Sequence, residues 1–132
     1  MPDLQHGTHK VYIVDDDESV RRALGRLLRS AGLDHQPFGS GEEFFADAAD
    51  KSGGCLVLDL QMPSMTGHEL LDRLRSRGMT IPVIALSAQD DGETRERART
   101  LGAVAFFRKP VDQQALLDAI RWALGPRTQP RG

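Results

Sequence analysis

Apolar positions along this chain fall into short continuous runs, separated by longer stretches with helical spacing. Lys10-Val11-Tyr12-Ile13-Val14 is β-rich and predicts a first strand. Val20, Ala23, Leu24, Leu27, Leu28 and Ala31 then repeat at helical spacing with arginines on the opposite face. That helix has Asp17 or Ser19 as candidate caps and Gly32 as its stop. Leu33 to Phe38 predicts a weaker second strand, and Glu42 to about Asp50 a short helix with Phe44, Phe45 and Ala48 inward. Between them, Gly39-Ser40-Gly41 lacks the longer glycine pattern and lysine of a phosphate loop, so it reads as a turn and cap. Cys55 to Asp59 is a third strand and about Thr66 to Arg77 a helix with Leu70, Leu71 and Leu74 on one face. Ile81 to Leu86 follows as a fourth strand, with Pro82 tolerable near its start. Asp91 to Leu101 is a helix polar almost all round, only Ala98 and Leu101 pointing inward. Val104 to Phe107 predicts a fifth strand, and about Asp112 to Leu124 a last helix with Leu116, Leu117 and Ile120 at core spacing.

Strand and helix alternate throughout, which implies parallel strands joined by right-handed crossovers with helices on both faces. The continuous apolar character of the third strand suits burial on both sides. The expected fold is α/β, a three-layer doubly wound (βα)5 domain with strand order 2-1-3-4-5. Ligands in such sheets bind beyond the carboxyl ends of the strands, at the point where strand order reverses.

Composition narrows the partners. The chain has 132 residues, enough for one domain over about residues 10–124 with a substantial core. Charged residues make up 27% and the formal net charge is -2, a balance without the basic face of a nucleic-acid or membrane-surface module. No apolar stretch reaches the ~18 residues of a membrane span, and the N-terminus lacks a signal-peptide core. The one cysteine, Cys55, lies in an apolar run and reads as a small buried hydrophobe. These features favour a soluble cytoplasmic protein. Met1 to His9 reads as a loose tail, and Gly125 to Gly132, with Pro126 and Pro130, as a linker or tail. His6 and His9 have no third ligand nearby and fit that tail better than a metal site.

The ends of the strands carry the chemistry. The first ends in Asp15, Asp16 and Asp17, the third in Asp59, the fourth in Ser87, and the fifth leads to Lys109. Each has a plain explanation alone, as a cap or a solvated charge; their shared edge sets them apart. Two carboxylates about 4 Å apart repel by about 4 kcal/mol at an effective dielectric near 20. Asp15, Asp16 and Asp59 therefore need a proton or a cation among them. Hard oxygen ligands with room for water suit Mg²⁺, and a main-chain carbonyl after Asp59 adds a further ligand. With Mg²⁺ and Lys109 the crevice attracts a phosphate, and Ser87 can donate to a phosphoryl oxygen. Phosphoryl transfer needs mainly this positioning and charge neutralisation, with Asp59 as the natural nucleophile.

Val14-Asp15-Asp16-Asp17, Asp59-Leu60-Gln61-Met62-Pro63-Ser64-Met65-Thr66-Gly67, Ala85-Leu86-Ser87-Ala88 and Arg108-Lys109-Pro110 occur in this order. In combination they resemble the receiver domain of two-component response regulators, over roughly Lys10 to Leu124. Tyr12-Ile13-Val14-Asp15-Asp16-Asp17 and Gly102-Ala103 are most similar to the nitrogen-fixation-regulator (FixJ-like) branch. The resemblance implies that Asp59 is the phosphoacceptor for a sensor histidine kinase. It implies that Asp15, Asp16, Asp59 and the main-chain carbonyl of Gln61 hold Mg²⁺, while Asp17 belongs to the helix start. Ser87 takes the switch hydroxyl position and Phe106 the switch aromatic position, and the Lys109-Pro110 bond is expected to be cis. The family's output face is the fourth helix, fifth strand and fifth helix, a surface for homodimerisation on phosphorylation. Gln61 and Gln89 stand where family members tune the lifetime of the acyl phosphate.

The resemblance implies a signalling module rather than an enzyme with an external substrate, and no direct nucleic-acid binding by these residues. Two other classes stay open on the residues alone. A haloacid-dehalogenase-like phosphatase would use Asp59 as nucleophile but calls for a second acid where Gln61 stands. A flavodoxin-like flavin carrier calls for a hydroxyl- and glycine-rich loop where the three acids stand.

Overall fold

The computed structural model describes residues 9–89 and 92–125. Residues 1–8 and 126–132 of the expected tails, and the expected helix start at Asp91, lie outside them. The elements are β1 (Val11–Val14), α1 (Glu18–Ser30), β2 (His35–Phe38), α2 (Gly41–Ala46), β3 (Cys55–Asp59), α3 (Gly67–Ser76), β4 (Val83–Ser87), α4 (Gly92–Thr100), β5 (Ala103–Arg108) and α5 (Gln113–Leu124). The strands form one parallel sheet in the order β2-β1-β3-β4-β5, the expected doubly wound topology.

Alternation along the strands divides the core in two. Tyr12, Val14, Leu56, Leu58, Val83 and Ala85 face one side, where Phe44 of α2, Leu70, Leu71 and Leu74 of α3 and Ala98 of α4 cover them. Val11, Ile13, Cys55, Val57, Ile84 and Leu86 face the other, against Leu24 and Leu28 of α1 and Leu116, Leu117 and Ile120 of α5. Both faces of β1, β3 and β4 are thus buried, and every residue of these strands is buried. Each large aliphatic side chain so buried contributes roughly 1.5–3 kcal/mol. Burial also pushes the Cys55 thiol up to about 12, which leaves it a protonated hydrophobe.

Helix ends follow local chemistry. Asp17 caps α1 by accepting from the Ser19 and Val20 N–H groups. At the other end Gly32, with φ 76°, closes a Schellman motif. Its N–H reaches the Arg29 carbonyl at 3.0 Å, and the Leu33 N–H reaches the Leu28 carbonyl at 2.9 Å. Leu33 is therefore bonded back to the helix, which is why β2 begins at His35 and not at Leu33.

The expected helix from Glu42 to Asp50 stops at Ala46, and Ala48 is exposed, not inward. What lies beneath this turn is Lys51, whose residue is only 5% exposed. Its Nζ donates to the carbonyls of Asp47 at 2.9 Å and Ala49 at 3.3 Å and lies 3.1 Å from the Asp47 carboxylate. The same ammonium sits 5.0 Å from the Phe44 ring centroid and 5.8 Å from those of Tyr12 and Phe38. The ammonium thus satisfies carbonyls that the end of the helix leaves without a backbone partner.

The edges of the sheet are plainer. β2 is an outer strand, where Pro37 removes a donor the sheet does not need. On α4 only Ala98 is buried, and on α5 Trp122 is 67% exposed. Among the described residues no helix is long and apolar enough to cross a membrane.

Candidate functional site

The parallel strands bring their carboxyl ends to one edge, and the sequence-predicted residues converge there. Asp15 and Asp59 are buried at 1% and 4% exposure, while Asp16 is exposed. One carboxylate oxygen from each of the three lies within 4.8 Å of the others. Asp15 is held from two sides: its Oδ1 accepts from the Asp17 N–H at 2.9 Å, and the Arg21 guanidinium donates to its carbonyl at 2.7 Å. Asp17 itself, as expected, serves the start of α1.

Lys109 reaches in from the end of β5. Its N–H donates to the Ser87 carbonyl at 2.8 Å, which fixes the backbone, and the Lys109-Pro110 bond is cis. Its Nζ lies 3.2 Å from Asp15 Oδ2 and 3.5 Å from Asp59 Oδ1. Burial opposes the ammonium charge, but Asp59 and Asp15 outweigh it and hold the Lys109 pKa above its usual value. Asp59 goes the other way. Burial, reinforced by the Asp15 carboxylate, pushes its pKa up to about 6, against the opposing pull of the Gln61 N–H and Lys109. One ammonium thus leaves negative charge uncompensated. Three hard oxygen donors around such a deficit fit a divalent cation of the Mg²⁺ class, and the carboxylates present are its natural holders.

The loop after β3 is held closely against the site. The Gln61 N–H donates to Asp59 Oδ1 at 3.1 Å, and Met62 and Met65 are buried. Thr66 caps α3 in a reciprocal capping box with Glu69. Gly67 begins the helix so close to the strand end that a Cβ there would stand 2.6 Å from Leu60 Cα and 2.9 Å from the Asp59 carbonyl oxygen. Only a residue without a side chain permits this approach.

Ser87 is fully buried at the last position of β4, where the strand is expected to end. The Gln61 side chain crosses to it. Gln61 Nε2 donates to Ser87 Oγ at 2.9 Å, Ser87 Oγ lies 3.1 Å from Gln61 Oε1, and the Ala88 N–H donates to that Oε1 at 2.9 Å. The Gln89 N–H also donates to Ser87 Oγ, at 3.0 Å. Phe106 pairs with Ala85 in register, is partly buried against the core, and carries the Arg95 guanidinium 4.8 Å from its ring centroid.

Asp15, Asp16, Asp59 and Lys109 therefore cluster at one sheet edge, the Gln61 backbone borders them, and Ser87 at the same edge is tied to them through the Gln61 side chain. Sequence reasoning singled out Gln61 but not the contact of its carboxamide with Ser87 and Ala88, and it missed Arg21 and Arg95 as contributors. Only Gln61 carried a signal, its place two residues after Asp59; where its side chain points depends on the loop path.

The family model described as response regulator receiver domain matches residues 11–121. Response regulator protein TodT of Pseudomonas putida is 41% identical over 121 residues, covering 92% of this chain and 53% of the relative. Transcriptional regulatory protein FixJ of Azorhizobium caulinodans is 37% identical over 115 residues, covering 87% of this chain and 54% of the relative. The chain thus spans about half the length of these relatives. The crystal structure described as FixJ-N superposes with a TM-score of 0.82 at 37% identity, covering 89% of this chain and 94% of that one.

Proposed function

This chain belongs to the response regulator receiver domain family of two-component systems, and from that membership we propose that Asp59 accepts a phosphoryl group from the phosphohistidine of a sensor histidine kinase. The observation that carries this reading is the placement of Lys109 between Asp15 and Asp59, beside three converging carboxylates. An Asp59 oxygen attacks phosphorus as the bond from phosphorus to the imidazole nitrogen breaks, and the bonding pair leaves with the imidazole. Asp59 is the nucleophile in its ionised form.

Mg²⁺ would be held by Asp15, Asp16, Asp59 and the main-chain carbonyl of Gln61, and when bound it supplies charge neutralisation for the phosphoryl oxygens. Lys109 gives a second positive charge beside Asp59. Ser87 donates a hydrogen bond to a phosphoryl oxygen, and Phe106 follows it inward, which alters α4, β5 and α5. The module catalyses only its own phosphorylation and dephosphorylation. The polar α4 and the exposed Trp122 suit a surface that meets a partner, and we assign a second copy of the chain to it on phosphorylation. FixJ is a transcriptional regulator, as its name states, and control of transcription is the output we assign to the protein carrying this domain.

The direct test is labelling with a small phosphodonor such as acetyl phosphate in Mg²⁺, read by intact mass. Wild type gains one phosphoryl group and Asp59→Asn gains none. Full labelling of Asp59→Asn removes Asp59 from the role.

A further inference from the structure

We propose that the Gln61 side chain is a latch that holds the switch hydroxyl and its neighbouring amide in the unphosphorylated protein. The inference rests on the phosphoacceptor role of Asp59 for its consequence, but its geometry is independent of that role. Two donors from the end of β4, the Ser87 hydroxyl and the Ala88 N–H, meet on one acceptor atom, Gln61 Oε1, at 3.1 and 2.9 Å. Paired donors aimed at one oxygen are the arrangement that stabilises an oxyanion. Gln61 Nε2 completes the grip by donating to Ser87 Oγ at 2.9 Å. The contact spans 26 residues of chain, and Ser87 is wholly buried, so water offers the hydroxyl little alternative.

The same residue has a second attachment. Its backbone N–H donates to Asp59 Oδ1 at 3.1 Å. Gln61 therefore links the acceptor carboxylate through its main chain to the Ser87-Ala88 pair through its side chain. A phosphoryl oxygen on Asp59 can take the two donors only when the carboxamide has left them. The carboxamide is a neutral acceptor and a phosphoryl oxygen a charged one, and charge-assisted bonds are roughly twice as strong. The exchange then runs toward the phosphorylated arrangement while still delaying it. The Gln61 side chain is in this sense a positioning group, acting through Ser87 and Ala88, whereas its main-chain N–H meets Asp59 directly.

Gln61 is only partly buried, so a change to leucine, close in length and without hydrogen bonding, is accommodated. Two readouts are needed. In unphosphorylated protein, Gln61→Leu should shift the ¹H–¹⁵N resonance of Ala88 upfield and raise its amide exchange about 5- to 10-fold, the effect of losing one hydrogen bond of ordinary strength. With acetyl phosphate at saturating Mg²⁺, its labelling should run about 5- to 10-fold faster than wild type. Gln61→Asn, one methylene shorter, should release Ala88 in the same way. An Ala88 amide that neither shifts nor exchanges faster in both variants overturns the latch. A freed amide with labelling unchanged or slower overturns its restraining role. Absence of labelling in wild type would defeat the reading of Asp59 alone, because the Ala88 amide is read without phosphorylation.

Discussion

Lys109 Nζ stands 3.2 Å from Asp15 Oδ2, a contact that closes 94 residues of chain across the mouth of the crevice. Asp15 follows β1 and Lys109 follows β5, with β3 and β4 between them, so the bond exists only once these four strands are aligned. The ammonium also stands 3.5 Å from Asp59 Oδ1, a positive charge that the chain itself brings to the two buried acids. Replacing it with an apolar side chain of similar length, Lys109→Met, should slow labelling by acetyl phosphate about 100-fold, the scale of losing one preorganised donor to a developing negative charge. Quenched time courses by intact mass measure this. Labelling within twofold of wild type would show that Lys109 only balances the resting acids.

Asp59 gives the metal-free protein a characteristic pH dependence. Its pKa in the fold is pushed up to about 6, above the 3.8 of an ordinary aspartate. A raised carboxylate favours folding where it is protonated, so its contribution is fully present below about 4 and is lost as pH rises through about 6. The loss is at most about 3 kcal/mol, from two pKa units. His68 works in the opposite sense, because burial and Arg97 lower its pKa, so wild type alone mixes the two. In EDTA, urea unfolding should show wild type losing stability relative to Asp59→Asn between about pH 4 and pH 7. A difference that stays flat across that range contradicts the burial and repulsion assigned to Asp59.

Mg²⁺ should reverse much of that loss at neutral pH. A ligand at ten times its Kd stabilises by about 1.4 kcal/mol, several degrees in Tm for a domain of this size. Asp16→Ala keeps the buried pair Asp15 and Asp59 but removes the exposed third donor. It should abolish the Mg²⁺-dependent rise in a melt followed by circular dichroism. A rise equal to that of wild type places the ion elsewhere.

Lys51 is the opposite case, a cation whose work is structural. Its ammonium faces three aromatic rings and two carbonyls. A desolvated cation–π contact is worth about 2 kcal/mol or more, so Lys51→Ala should cost about 2–4 kcal/mol in urea unfolding. Lys51→Met should recover part of it through packing. A cost below about 0.5 kcal/mol would mean that the rings and carbonyls hold their places unaided.

These sites differ in how far the chain alone discloses them. The strands of the middle sheet are plain because burial on both faces leaves continuous apolar runs such as Cys55 to Leu58. The acids, Ser87 and Lys109 follow from strand order, since parallel strands deliver their ends to one edge. Leu33 misleads because an apolar residue after a helix can serve the cap as well as a strand. Lys51 is invisible for a deeper reason. A lysine reads as solvated until Tyr12, Phe38 and Phe44, from three separate elements, are known to surround it. The direction of the Gln61 carboxamide likewise depends on the loop that Thr66 and Gly67 tie down.

Trp122 is the one tryptophan of the chain, and it stands two-thirds exposed on α5. Its indole already meets water in the native state, so unfolding changes its surroundings little and intrinsic fluorescence is a poor gauge of folding here. The same placement makes its emission a label-free signal of docking. Any body that covers α5 must move the indole from water to protein, and its spectrum then turns blue without a dye or a tag.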